Sequence, residues 1–334
     1  RWEPLYEVTQ IKGDGETHPL HSTDDEFADF VTLALGNLNL PVPKKDSMLK
    51  YEYAREALKQ GLMLETKLGT NPYKFGMVGS SDTHTALAAV EEDNYIGKHS
   101  GTEPSADRWN HPMAKFEGRQ YEGYAMSSSG YAGVWATDNT RKALFDAMKR
   151  KEVYATTGPR ILVRFWGGWD FVEADAKSRL PAAVGYAKGV PMGGDLSKAT
   201  EGKAPTFLVA ALKDPYGANL DRIQIVKGWL DNKGKTHEKV YNVDWGDADK
   251  RQLDNKGKLP AVGNTVDVKN ATWTNTIGDP ELIAVWKDPD FDPKQKAFYY
   301  TRVLEIPTPR WTAYDAKRYG VKVSKEVQMT LQER

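Results

Sequence analysis

Residues Leu5 to Ile11 alternate and are β-branched, which predicts a strand closed by the turn Lys12-Gly-Asp-Gly-Glu16. Ser22-Thr-Asp-Asp-Glu-Phe-Ala-Asp-Phe30 begins as a capped helix does, with hydroxyls ahead of three acidic residues. Pro41-Val-Pro43 breaks the chain, and Asp46-Ser47 then caps a second helix to about Leu68. Met48, Tyr51, Ala54, Leu58, Leu62 and Leu64 give that helix its apolar stripe. Phe75, Met77 and Val78, with Gly76 between and Gly79 after, predict a short buried strand that runs into a polar loop. From Glu91 to Tyr131 no period is sustained, and a loop of that length suits a lid or specificity insertion over a site. Thr137-Asp-Asn-Thr140 caps a further helix to about Lys151, with Ala143, Leu144, Ala147 and Met148 inward, and a strand follows from Val153.

Beyond Pro159 the texture changes. Ile161–Trp166, Phe207–Leu212, Arg222–Leu230, Glu238–Val243, Glu281–Trp286 and Ala297–Glu305 are short strand-like runs separated by Gly, Pro, Asn and Asp. That spacing predicts an antiparallel β-sandwich, with Ala174 to Lys203 as an intervening loop.

With 334 residues the chain can hold two cores. Lys plus Arg and Asp plus Glu both count 46, so a net charge of zero gives no electrostatic case for nucleic acid or an anionic membrane as partner. There is no cysteine, which excludes disulfides, thiolate metal sites and cysteine nucleophiles. No apolar run approaches the ~20 residues of a membrane helix, and no signal peptide is visible.

The candidate chemistry gathers where strands end. Asp82 and His84 sit two apart, so in extended backbone both point to one side, as ligands of a divalent zinc, manganese or iron would. The plainer alternative has Asp82 capping and His84 packing locally. Lys12, Asp14, Glu16 and His18 crowd the first turn, where Glu16 and His18 suit metal binding or proton transfer and Lys12 an anion. A solvated turn of mutually paired charges is the alternative there. Glu7 in the preceding strand can face the same place. Tyr154-Ala-Thr-Thr-Gly-Pro-Arg160 puts hydroxyls and a guanidinium on one loop, which suits an oxyanion or an interface salt bridge. Arg55 is a further candidate for an anion or a structural ion pair. His99 and His111 suit extra ligands or acid/base groups, with ordinary loop histidines as the plainer alternative, and Ser127–Ser129 lack the setting of a serine nucleophile. Gly228 to Thr236 has the wrong spacing for a phosphate loop, and Asp288, Asp290 and Asp292 lack the rest of a calcium loop.

Gly79-Ser-Ser-Asp-Thr-His84 resembles the closing metal-ligand motif of the PHP (polymerase and histidinol phosphatase) phosphoesterases. Glu7 to Pro19, Asn71 to Gly76, Val134 to Arg141, Tyr154 to Arg160 and Glu305 to Trp311 resemble the DUF3604 family, a bacterial group placed near those enzymes. The resemblance implies an α/β plus all-β chain. Residues 1–159 would form the C-terminal part of a PHP-like (β/α) barrel and residues 160–334 an antiparallel β-sandwich. It implies a metal-dependent hydrolase of phosphate esters, with Asp82 and His84 as metal ligands. Lys12, Glu16, His18 and Asp82 would be catalytic, and Lys12 and Arg160 would hold a small-molecule ester. Amide, carbamate or sulfate esters are alternative substrates, and a secreted glycan-binding protein is the non-enzymatic alternative. The family's upstream ligand motifs would precede Arg1, so the chain reads as a C-terminal portion, and the family's habit points to the periplasm or secretion.

Overall fold

The computed structural model describes residues 2–32, 36, 42–87, 89–116, 118–128, 130–196, 199 and 201–334. Pro41 of the expected chain break and Ser129 of the serine run lie outside them. Strand β1 (Leu5–Gln10) turns into β2 (Gly13–Asp14), antiparallel to it, and its Tyr6 hydroxyl donates at 2.9 Å to Glu52 O, in the link between α1 (Asp46–Leu49) and α2 (Ala54–Leu68). Its other neighbour is β3 (Gly76–Gly79), paired in parallel with Leu5 opposite Gly76. The insertion from Glu91 to Tyr131 contains a hairpin, β4 (Pro112–Phe116) and β5 (Arg119–Glu122). Strands β6 (Tyr131–Val134) and β7 (Val153–Thr156) form a second small sheet, joined by α3 (Arg141–Lys149), whose first turn Thr140 caps at Ala143 N. The two sheets abut at Gly79 and Gly130, where Gly130 N donates to Ser80 O at 3.1 Å. A Cβ at Gly79 would lie 2.6 Å from Tyr131 O, and one at Gly130 would lie 2.0 Å from Thr156 O, so only glycine permits the approach.

Among the described residues no closed barrel forms. The β1–β3 pair is the one parallel pairing among the described residues, and the expected PHP-like barrel reduces to three short sheets. A barrel needs an unbroken ring of paired strands, which seven short strands in three separate sheets do not supply.

The second half starts with β8 (Leu162–Gly168). The expected loop from Ala174 instead carries α4 (Glu173–Ala176), α5 (Pro181–Lys188) and β9 (Gly189–Pro191). Pro181 at the start of α5 lacks only an N–H that the first turn leaves unpaired, so the proline opens a helix here. Strands β10 (Thr206–Leu212), β11 (Leu220–Leu230), β12 (Thr236–Trp245), β13 (Glu281–Lys287) and β14 (Lys296–Glu305) complete two antiparallel sheets, ordered β13-β10-β8-β9 and β12-β11-β14. Val163, Phe165, Phe207 and Val209 of the first sheet share one core with Ile223, Ile225 and Val303 of the second. Two sheets enclosing a common core fit the expected sandwich. The chain closes with β15 (Thr308–Pro309), α6 (Trp311–Tyr319) and β16 (Thr330–Leu331). No helix among the described residues is long and apolar enough to cross a membrane.

A buried ionic network joins the halves. Arg55, fully buried, donates from Nη2 to Glu16 and Asp25, both at 2.8 Å, and from Nη1 to Glu238 at 3.0 Å. Arg302 on β14 donates to Asp25 at 2.6 Å, while the Tyr300 hydroxyl donates to Glu16 at 2.6 Å and accepts from Arg55 Nε at 2.7 Å. This network overturns two local expectations. Residues 22–30 run as turns, because Asp25 is recruited by the two arginines and Ser22 Oγ pairs with Thr17 Oγ1 at 2.6 Å and accepts from Arg55. The long helix breaks between Leu49 and Ala54, because Ala54 N and Arg55 N donate to Gly15 O and Glu16 O at 2.8 and 3.0 Å. The helix start is thereby fixed to the first turn.

Candidate functional site

Just past β3 the backbone turns sharply at Asp82, which has φ +49°, a left-handed conformation that aspartate tolerates better than most residues. The turn aims the Asp82 carboxylate at three basic groups from three segments. Lys12, from the β1–β2 turn, donates to Oδ2. Lys98, from the long insertion, donates to Oδ2 at 2.7 Å and to the Asp82 carbonyl at 2.9 Å. His84 brings Nε2 to 3.2 Å from Oδ1. The insertion is tied here by the backbone, since His84 N donates to Lys98 O. Ser80 Oγ donates to Glu7, so the Glu7 side chain also borders the loop.

Partial burial opposes charge on Asp82, but the hydrogen bonds from Lys12 and Lys98 outweigh it and bring the carboxyl down to about 2. Burial lowers the Lys98 ammonium from its ordinary value, and Lys12 nearby adds to this, while Asp82 opposes it. The site is therefore an ionised carboxylate flanked by two amines and a largely exposed imidazole.

An ion held at about 2.0–2.2 Å by two ligands in tetrahedral geometry would separate them by roughly 3.3–3.6 Å, and somewhat less in octahedral geometry. Asp82 Oδ1 and His84 Nε2, 3.2 Å apart, fit one edge of such a coordination sphere. Among the described residues no group of three or more His, Asp or Glu converges to complete it. Lys98 Nζ holds the adjoining position, 3.5 Å from His84 Nε2.

The other sequence candidates stand apart from this cluster. Glu16 is buried in the ionic network, where burial opposes its charge and Arg302, Arg334 and Arg55 more than compensate, leaving its carboxyl below the usual range. His18 accepts from Leu20 N through Nδ1 and packs against the Tyr53 ring. Arg160 is exposed, pairs with Glu91 at 2.8 Å and lies over the Tyr131 ring. His111 pairs with Asp107, and His99 with its own turn at Ser100 O. Asp288 binds Lys227 and Tyr299, Asp290 binds Lys239 and Tyr241, and Asp292 accepts from Lys294 N at 2.9 Å, so each aspartate of the run already has partners within the protein.

Lys98 is the member of this cluster that the sequence reading passed over. Nothing local marks it; the one signal was the length of the insertion that carries it. That insertion is anchored as well, by Arg108, which is buried between the Tyr95 and Trp311 rings and donates to Asp315 at 3.0 Å. Through Lys98 it reaches the Asp82 loop, while its far side is fastened to α6.

No curated protein and no solved structure matches the chain. The family described as Protein of unknown function (DUF3604) matches residues 1–334. Over its whole length, then, the chain belongs to the DUF3604 family.

Proposed function

We propose that the Asp82 loop is the active site of a metal-dependent hydrolase acting on phosphate esters. One observation carries this reading: Lys12 and Lys98, far apart in sequence, converge with His84 on a single accessible carboxylate at the end of a strand. Paired amines around an acceptor are what an oxyanion substrate needs, and they would neutralise charge that grows on it in the transition state.

Asp82 and His84 would hold part of a divalent zinc, manganese or iron ion, the remaining ligands coming from water, substrate or other donors. Such an ion supplies a water of lowered pKa. Asp82, ionised throughout the physiological range, would accept a proton next to the reacting water. His84, largely exposed on the same loop, would hold the ion through Nε2. Lys12 and Lys98 would shift their hydrogen bonds from Asp82 to the incoming phosphate. The export common in the family places this activity, in the same reading, in the periplasm or outside the cell.

The test is turnover of p-nitrophenyl phosphate in the presence of zinc, manganese or iron(II), with the parent beside Asp82→Asn. Metal-dependent release of nitrophenol that the substitution abolishes is expected. Equal rates in parent and variant would overturn the assignment.

A further inference from the structure

Away from the Asp82 loop, a cavity of about 570 Å³ lies between the first sheet, α2 and the sandwich. We infer that this cavity is a second binding site, for an uncharged molecule with an apolar body and a hydroxyl head. The volume is in the range of small-molecule sites and far above the voids that packing leaves in an interior. Leu62, Met77, Val153, Phe207 and Phe298 supply an aliphatic and aromatic wall.

The head is defined by what the cavity leaves unpaired. Thr9 and Thr156 line it, are 3% and 4% exposed, and their hydroxyls have no hydrogen-bond partner among the described residues. A buried hydroxyl without a partner costs about 1–3 kcal/mol, which a ligand hydroxyl can relieve because it both donates and accepts. Lys151, beside Gly76 on the wall, has no carboxylate partner among the described residues, but the charged groups beside Thr9 pair with one another. Asp14 pairs with Arg334 at 2.8 Å, and Glu16 with Arg302 at 3.3 Å. A charged head would meet no unbalanced counter-charge there and would lose its hydration, so a neutral one is preferred. Entry is past the ion pairs Lys74–Asp195 and Lys296–Glu65, whose lysines are about half exposed and can swing aside.

The experiment is calorimetric titration of the whole chain with 4-phenylbutan-1-ol, and separately with 4-phenylbutanoate and 4-phenylbutylammonium. The alcohol is expected to bind, and each charged analogue at least about tenfold more weakly. Thr9→Val with Thr156→Val keeps shape and strand preference and removes both hydroxyls. It should weaken alcohol binding by about fivefold or more. Met77→Trp should block binding by filling the cavity, and the threonine pair serves if that variant does not fold. Asp82→Asn should leave alcohol affinity unchanged, which separates this site from the proposed active site. No binding of the alcohol, equal binding of the charged analogues, or full affinity in the threonine variant would overturn the inference.

Discussion

Asp82 and Glu16 are both carboxylates clasped by cations, and the difference between their partners separates chemistry from architecture. Glu16 faces Arg55, Arg302 and Arg334 in the interior, where planar guanidinium forks hold several acceptors at once and none can be exchanged for solvent. Asp82 faces two lysines at a partly open loop, where compact ammonium groups on flexible stems can turn to another anion. One cluster welds the first sheet to the sandwich. The other leaves its carboxylate partly open to exchange of partners.

The largest effect should come from breaking the weld. Arg55→Met would leave Glu16, Asp25 and Glu238 short of a buried partner, and about 3–5 kcal/mol of stability should vanish in urea unfolding. Asp82→Asn, by contrast, should change stability by no more than about 1 kcal/mol, because its ion pairs are partly solvated. Its effect belongs in turnover, which should fall by about 10²–10³-fold with folding intact. A large stability loss at Asp82, or none at Arg55, would collapse the distinction.

A third test uses a buried acid of opposite sign. Burial, reinforced by Asp214, raises the Glu305 carboxyl well above its ordinary value. Its contribution to stability is complete below the unfolded-state value, near pH 4.3, and is lost as pH rises toward the raised folded value. Asp25 and Glu16 are lowered, so their contribution is complete above about pH 4 and fails only below it. Glu305→Gln should therefore flatten the stability difference between pH 5 and pH 8 measured by chemical denaturation. A wild-type curve that already matches Glu305→Gln across that window would contradict the assignment. The smallest effect is salt: raising NaCl from 0.15 to 0.5 M should weaken phosphate binding at the lysines a few-fold, and leave the cost of Arg55→Met unchanged.

Much of the sandwich was legible because each strand carries its own period-two pattern and turn residues, and every expected strand from Ile161 to Glu305 is present within two residues. Asp82, His84 and Lys12 were legible as chemistry, and the fold brings those three together. Two of the misses share one cause. Ser22, Asp25 and Glu16 carry local signals for a cap and a reactive turn, but their partners Arg55 and Arg302 lie 30 and 277 residues from Asp25, and tertiary pairing decided their role. Lys98 was hidden the same way, since a lysine on an aperiodic loop has no pattern to betray its target 16 residues back. The helix at Pro181 was masked because a proline that opens a helix looks like one that ends it.

The central claim is that the Asp82 loop binds a catalytic metal, and metal content tests it most directly. The protein purified without chelator, beside an Asp82→Ala, His84→Ala variant, would be measured by inductively coupled plasma mass spectrometry. At least one equivalent of zinc, manganese or iron, lost in the variant, is the predicted result. No bound metal in the parent after incubation with each of the three ions, or metal retained in full by the variant, would contradict it.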